Sequence, residues 1–194
     1  MIVVSAHSNN PMYVAGAKRL AESCKAVGVE PRIRHLDILV PSDRKIEILR
    51  QCYTGMVEQM RDVLMEADCP VMLVGADDEI TFNPAMALPE SGPDIGLMRN
   101  PEIDSLGAHL RHAAQWVAWP TDTAKAFLNL ILDMMNRYQL NDHRAMCSAA
   151  VMWRGFTKEL DITPNLYGCV KRIPSNFKPE WEKEFKDAIQ KEDQ

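Results

Sequence analysis

The sequence predicts one α/β domain with a mostly parallel central sheet flanked by helices, and three observations carry that expectation. Short apolar runs of strand length, Ile2-Val3-Val4-Ser5 and Pro70-Val71-Met72-Leu73-Val74, alternate with longer segments of helical apolar period. The second run is continuous, the pattern of a central strand covered on both faces. The chain has 194 residues, 46% of them hydrophobic and 25% charged, which suits one globular domain over residues 1–194 and excludes disordered and collagen-like classes.

The first strand, Ile2 to Ser5, gives way to the turn formers Ala6-His7-Ser8-Asn9-Asn10-Pro11. From Tyr13, the positions Val14, Ala17, Leu20, Ala21, Cys24 and Val27 recur at three and four residues and predict a helix closed by Gly28. Arg32 to Val40 is a second strand, and after Pro41 an N-cap at Ser42 opens a helix whose apolar positions run from Ile46 to Leu64. The strand from Pro70 to Val74 ends in Gly75-Ala76-Asp77-Asp78-Glu79. Ile95 to Met98 and Gln115 to Trp119 read as short strands, and Thr121 to Tyr138 as a helix capped by Thr121 or Asp122. A helix from Asp142 to Trp153, short strands at Leu160 to Thr163 and Gly168 to Ile173, and a surface helix from Pro179 to Lys191 complete the order. In such a fold ligands gather at the carboxyl ends of the parallel strands, where the Ser8-Asn9-Asn10 loop and the acidic cluster both fall.

The net charge of -5 is unevenly spread. Residues 1–50 carry 8 basic and 5 acidic side chains, residues 51–110 carry 2 and 11, and residues 111–194 carry 12 and 11. The acidic middle suits a cation; the 7 basic residues between Arg137 and Lys178, against 3 acids, suit phosphates of a ligand or nucleic acid, or an ordinary solvated surface. No apolar run approaches the ~20 residues of a membrane span, and the opening Ile2-Val3-Val4 lacks the pattern of a secretory signal. The 5 cysteines are far apart without a C-x-x-C pair, as expected of reduced core thiols, and His109 and His112 are expected on a helix surface. Together these place the chain in a cytoplasm, of a bacterium or a virus-infected host, with no membrane partner.

Three consecutive acids at the end of a buried strand raise one another's pKa unless a cation or solvent intervenes. Two readings stand for Asp77, Asp78 and Glu79: an oxygen-ligand site for Mg²⁺ or Mn²⁺ shared with substrate phosphates, or a strand terminus that faces water.

The segment Val71-Met72-Leu73-Val74-Gly75-Ala76-Asp77-Asp78-Glu79-Ile80, followed by Asn83-Pro84, resembles the strand-acid-turn signature of GT-A glycosyltransferases, which have a Rossmann-like nucleotide-binding domain. Those enzymes carry an Asp-x-Asp there that holds a divalent ion against the diphosphate of a nucleotide sugar. Asp77 matches the second acid, while the first position is Gly75, a departure that leaves Asp77 with Asp78 or Glu79 as the metal pair, or a weaker metal site. The likeness runs over roughly residues 2–175. Val3-Val4-Ser5-Ala6 with Tyr13 is similar to the nucleotide-binding start, where an aromatic stacks on the base; Asp37 ends the second strand; Lys45 falls where relatives open the next helix with a lysine. Asp94-Ile95-Gly96-Leu97, Ala113-Ala114-Gln115-Trp116 and Asn141-Asp142-His143-Arg144 resemble the later strands and a late acidic helix start.

The resemblance implies an α/β GT-A domain that moves a sugar from a nucleotide sugar, with a UDP-sugar the expected donor, to an acceptor hydroxyl. Asp142 is then the catalytic base or a sugar contact, or alternatively only a helix cap. Ser5, His7, Tyr13, Asp37, Lys45, Lys171 and Arg172 are expected at the nucleotide, and Asp77, Asp78, Glu79 and His143 at the metal. Trp116, Trp119 and Arg154 are expected at the sugar or acceptor pocket, with core packing the other reading for the tryptophans. The acceptor is a small metabolite, a protein side chain or a 5-hydroxymethylpyrimidine in DNA. A noncatalytic nucleotide or nucleotide-sugar binding module is the rival from another class. A nucleotidyltransferase is the rival of the same fold, but Ser8-Asn9-Asn10-Pro11 lacks the glycines and lysine of its usual loop.

Overall fold

A computed structural model of the chain describes residues 1–38, 44–99 and 111–172. The element order is β1 (Ile2–His7), α1 (Pro11–Ala26), β2 (Glu30–His35), α2 (Lys45–Glu66), β3 (Val71–Leu73), β4 (Asp78–Ile80), a 3₁₀ turn (Pro84–Met86), β5 (Ile95–Arg99), β6 (Arg111–Ala118), α3 (Asp122–Tyr138), α4 (Asp142–Met152), β7 (Glu159–Asp161) and β8 (Val170–Arg172). Six strands form one sheet in the order β2-β1-β3-β6-β5-β7, and β4 with β8 forms a separate ribbon. β1 runs parallel to both β2 and β3, and β5 parallel to β7; β6 is antiparallel to β3 and β5. The expected α/β fold with a mostly parallel sheet is therefore observed.

Strand alternation sorts the core into two layers. Ile2, Val4, Leu73, Trp116 and Ala118 face α2, α3 and α4, while Val3, Met72, Val74, Val117 and Trp119 pack with Leu20 and Cys24 of α1 and with Ile80. Because both faces of β1 and β3 are covered, their sequences show no polar alternation.

Local chemistry moves several boundaries. α1 starts at Pro11, ahead of the expected Tyr13, because Asn10 Oδ1 accepts the Met12 N–H at 2.9 Å and Pro11 fits the first turn. It closes at Gly28, whose φ of +74° is left-handed. Thr121 caps α3 as expected, its Oγ1 accepting the Ala124 N–H at 3.1 Å. The same hydroxyl donates to Asp94 Oδ1 at 2.6 Å, and Asp94 Oδ2 accepts the Lys158 N–H at 2.8 Å. One buried carboxylate thus ties β5, α3 and the approach to β7 together. The cap of α4 is Asn141, whose Oδ1 accepts the Arg144 N–H at 2.8 Å, so Asp142 is not the cap.

β2 stops at His35, short of the expected Val40. β6 is longer than expected and includes His112, which lies in a strand and not on a helix. The acids Asp78 and Glu79 open β4, where the sequence led us to expect only a turn. Ser42, His109 and the helix expected at residues 179–191 lie outside the described residues. All 5 cysteines are free. Among the described residues no helix is long and apolar enough to cross a membrane.

Candidate functional site

The carboxyl ends of β1, β2 and β3 point the same way and bring together Ser5 to Ser8, His35 to Asp37 and Val74 to Asp77. β3 gives way there to a closed turn. The Asp78 N–H donates to the Gly75 carbonyl at 3.1 Å, and the Gly75 N–H donates to Asp78 Oδ2 at 2.8 Å. Asp78 is fully buried, whereas Asp77 and Glu79 are half-buried. A Cβ on Gly75 would stand 2.8 Å from Asp77 Oδ1 and 3.1 Å from Asp78 Oδ2, so the place where the resemblance expects an acid is flanked by two carboxylates already.

α1 lies directly on this turn. A Cβ on Gly16 would meet the Ala76 carbonyl oxygen at 2.6 Å and Asp77 Cα at 3.3 Å, an approach only glycine permits. Two turns further along α1, Ser23 Oγ accepts the Ile80 N–H at 3.0 Å and seats β4. β8 then pairs with β4 in the register Asp78 with Arg172 and Glu79 with Lys171. This ribbon brings the two late basic residues to the acidic strand end. The Lys171 side chain is exposed.

Beside it, at the end of β1, His7 Nδ1 lies 3.0 Å from the Ser8 carbonyl, and the His7 and His35 rings meet edge to face at 5.0 Å. His35 Nε2 lies 3.4 Å from Asp37 Oδ1, and Asp37 is exposed. Tyr13 is half-buried on the first turn of α1. Ser5 is wholly buried, with its Oγ shielded from solvent. Under the loop, burial pushes the Cys52 thiol up to about 11, opposed by a hydrogen bond from Ser8.

Lys45 opens α2 as expected. The α3–α4 turn is held near the start of α2 by Arg50 Nη1, which donates to Gln139 Oε1 at 2.5 Å. Asp142, half-buried on the first turn of α4, therefore lies at the same end of the sheet as the acidic turn. His143 follows it on the helix backbone; its side chain is outside what the structure describes.

Three expected pocket residues are elsewhere. Trp116 and Trp119 are each 1% exposed, and Trp119 Nε1 donates to the Pro89 carbonyl at 2.9 Å, so both indoles belong to the core and line no open pocket. Arg154 follows the far end of α4, about 16 Å along the helix from Asp142 at 1.5 Å per residue. There it lines a cavity of about 260 Å³ with Cys147, Val151 and Glu159.

Among the described residues no three His, Cys, Asp or Glu side chains come together as a metal site. Of the acids at the turn, Asp78 is buried with Oδ2 taken by the Gly75 N–H, and strand alternation turns Glu79 to the opposite face of β4. Among the described residues the donor set thus fits an ion that shares one carboxylate, Asp77, with phosphate oxygens of a ligand better than a dedicated protein cage. The contributions of Gly16 and Ser23 went unread in the sequence. An isolated glycine inside a helical pattern, a sign of close backbone approach, was the available signal at Gly16.

No family model matches this sequence, and no curated protein matches it. The fold does have likenesses among solved structures. A glycosyltransferase involved in glycosylation of the major capsid of PBCV-1 superposes with a TM-score of 0.57 at 9% identity, over 89% of this chain and 91% of that one. The apo glycosyltransferase GlyE of Streptococcus pneumoniae TIGR4 gives 0.52 at 13% identity over 84% of this chain, which spans 45% of GlyE. An active-site mutant of LgtC gives 0.53 at 13% identity, over 83% of this chain and 72% of that one. The chain has a GT-A-like glycosyltransferase fold.

Proposed function

We propose that this GT-A-like domain transfers a sugar from a nucleotide sugar, a UDP-sugar by preference, to an acceptor hydroxyl. The observation that carries the reading is the closed Gly75–Asp78 turn, which presents Asp77 at the carboxyl ends of β1 and β3 in a fold shared with glycosyltransferases. In this reading Tyr13 stacks on the base, and His7 and Asp37 flank the nucleoside. Lys45 opens the helix beside it, Lys171 and Arg172 on β8 attract the diphosphate, and Asp142 takes the acceptor proton. Asp77 would hold Mn²⁺ or Mg²⁺, with His143 as a candidate neighbour. A bound divalent ion supplies charge neutralisation to the departing diphosphate. The free thiols suit a reducing compartment, and we place the chain in a cytoplasm.

A noncatalytic nucleotide-sugar binding module is the second reading, favoured by Gly75 standing where the resemblance has the first acid. The nucleotidyltransferase reading loses ground because α1 starts at Pro11, leaving little loop after β1 to wrap a triphosphate. Thermal shift with a panel of nucleoside diphosphates and nucleotide sugars, with and without Mn²⁺, tests the reading, because a ligand that binds only the native state raises its melting temperature. UDP and at least one UDP-sugar should raise the midpoint; no response across the panel contradicts the proposal. Acceptors are then screened among small metabolites, peptides and duplexes with 5-hydroxymethylcytosine or 5-hydroxymethyluracil. Transfer to the duplexes should fall steeply with salt if DNA is the acceptor.

A further inference from the structure

The geometry points to a division of labour among the consecutive acids: Asp78 is a positioning residue that locks the strand-end turn, and Asp77 is the carboxylate the lock presents to a phosphate-bearing ligand and its cation. The inference rests on the proposed nucleotide-sugar site and says which parts of this chain shape it. Asp78 is fully buried, and its side chain and backbone close the turn from both sides, accepting the Gly75 N–H at 2.8 Å and donating to the Gly75 carbonyl at 3.1 Å. Ile80, two residues on, is buried on the same side of β4, so Glu79 points to the other face, where it shares a register position with Lys171.

Two glycines hold the lock in place. At Gly75 a Cβ would sit 2.8 Å from Asp77 Oδ1 and 3.1 Å from Asp78 Oδ2, so a side chain there shifts the Asp77 carboxylate and crowds that of Asp78. At Gly16 a Cβ would strike the Ala76 carbonyl oxygen at 2.6 Å, and this neighbour is backbone, which cannot swing aside. The turn carrying Asp77 is therefore pinned by α1 on one side and by Asp78 from within. Glycine at position 75 leaves both carboxylates undisturbed, so an aspartate there would crowd the turn as well as add a carboxylate.

The test measures the dissociation constant for UDP at saturating Mn²⁺ by calorimetry, the affinity for Mn²⁺ alone by electron paramagnetic resonance, and the melting midpoint. Asp78→Asn keeps an oxygen that accepts the Gly75 N–H and should stay within about threefold of the parent affinity, whereas Asp78→Ala should weaken UDP by roughly tenfold or more and lower the midpoint. Asp77→Asn should melt like the parent and lose Mn²⁺-dependent UDP binding. Gly75→Asp, which writes in the Asp-x-Asp pattern, should bind UDP more weakly than the parent. The inference is overturned if Asp78→Asn melts normally yet loses as much affinity as Asp77→Asn, if it melts like Asp78→Ala, or if Gly75→Asp binds more tightly. A parent chain that binds no nucleoside diphosphate overturns the proposed site itself, and the positioning role with it.

Discussion

Replacing Asp94 by alanine removes a side chain that ties three separate elements together. The residue is 6% exposed, and its carboxylate accepts from the Thr121 hydroxyl at 2.6 Å and from the Lys158 N–H at 2.8 Å. Thr121 is itself the cap of α3, so the loss also frees the hydroxyl that caps the Ala124 N–H. A hydrogen bond to a charged group contributes about 1.5–3 kcal/mol, so losing two costs about 3–5 kcal/mol once partial relaxation is allowed. For a domain of this size each kcal/mol lowers the midpoint by about 2–4 °C, so Asp94→Ala should melt roughly 10 °C below the parent. Urea denaturation should show the same loss with an unchanged slope. Asp94→Asn, which keeps one acceptor oxygen, should lose about half as much. UDP affinity in the folded variant should equal that of the parent, because Asp94 stands at the amino-terminal end of β5, away from the acidic turn. A midpoint within about 2 °C of the parent would refute the reasoning, since that is less than one such bond contributes.

Two further outcomes follow from the same geometry. Tyr13→Ala should weaken UDP binding by about tenfold or more with an unchanged midpoint, because base stacking on an aromatic face contributes roughly 1–3 kcal/mol; an unchanged dissociation constant removes Tyr13 from the site. Burial pushes the thiols of Cys24, Cys52 and Cys169 up to about 11 from 9.0. The unfolded chain therefore releases these protons first, so the thiols' contribution to stability should be constant below about pH 9 and be lost between about pH 9 and 11. Melting midpoints across that range check it, and the fall should shrink in Cys24→Ala measured against its own neutral-pH value.

The parallel half of the fold was legible because burial on both faces leaves a continuous apolar run, as at Val71 to Val74, and amphipathic helices such as α1 and α3 carry their own period. β4 was not, because a three-residue strand with two acids has no local signature and owes its pairing to β8, far along the chain. The same double burial that marks a central strand hid the place of Trp116 and Trp119, since no polar neighbour says which apolar face meets solvent. Asn141 and Asp142 are both good caps, and adjacent cap formers leave the boundary ambiguous by one residue. Of the site, the sequence marked the acids and the strand end that carries them. The resemblance singled out Asp77, but nothing in the sequence showed that the Asp78 carboxylate turns back to the Gly75 N–H. Nor did it separate Arg154 from the basic residues near the acids, because a helix of 11 residues carries Arg154 to the other end of the molecule.

Release of UDP from a panel of UDP-sugars in Mn²⁺, measured side by side for the parent chain and Asp77→Asn, tests the central claim most directly. The account predicts slow hydrolysis of at least one sugar donor by the parent, accelerated when its acceptor is supplied. It also predicts loss of that turnover in Asp77→Asn at an unchanged melting midpoint. Equal turnover in the two proteins, or none from the parent with any donor, would contradict it.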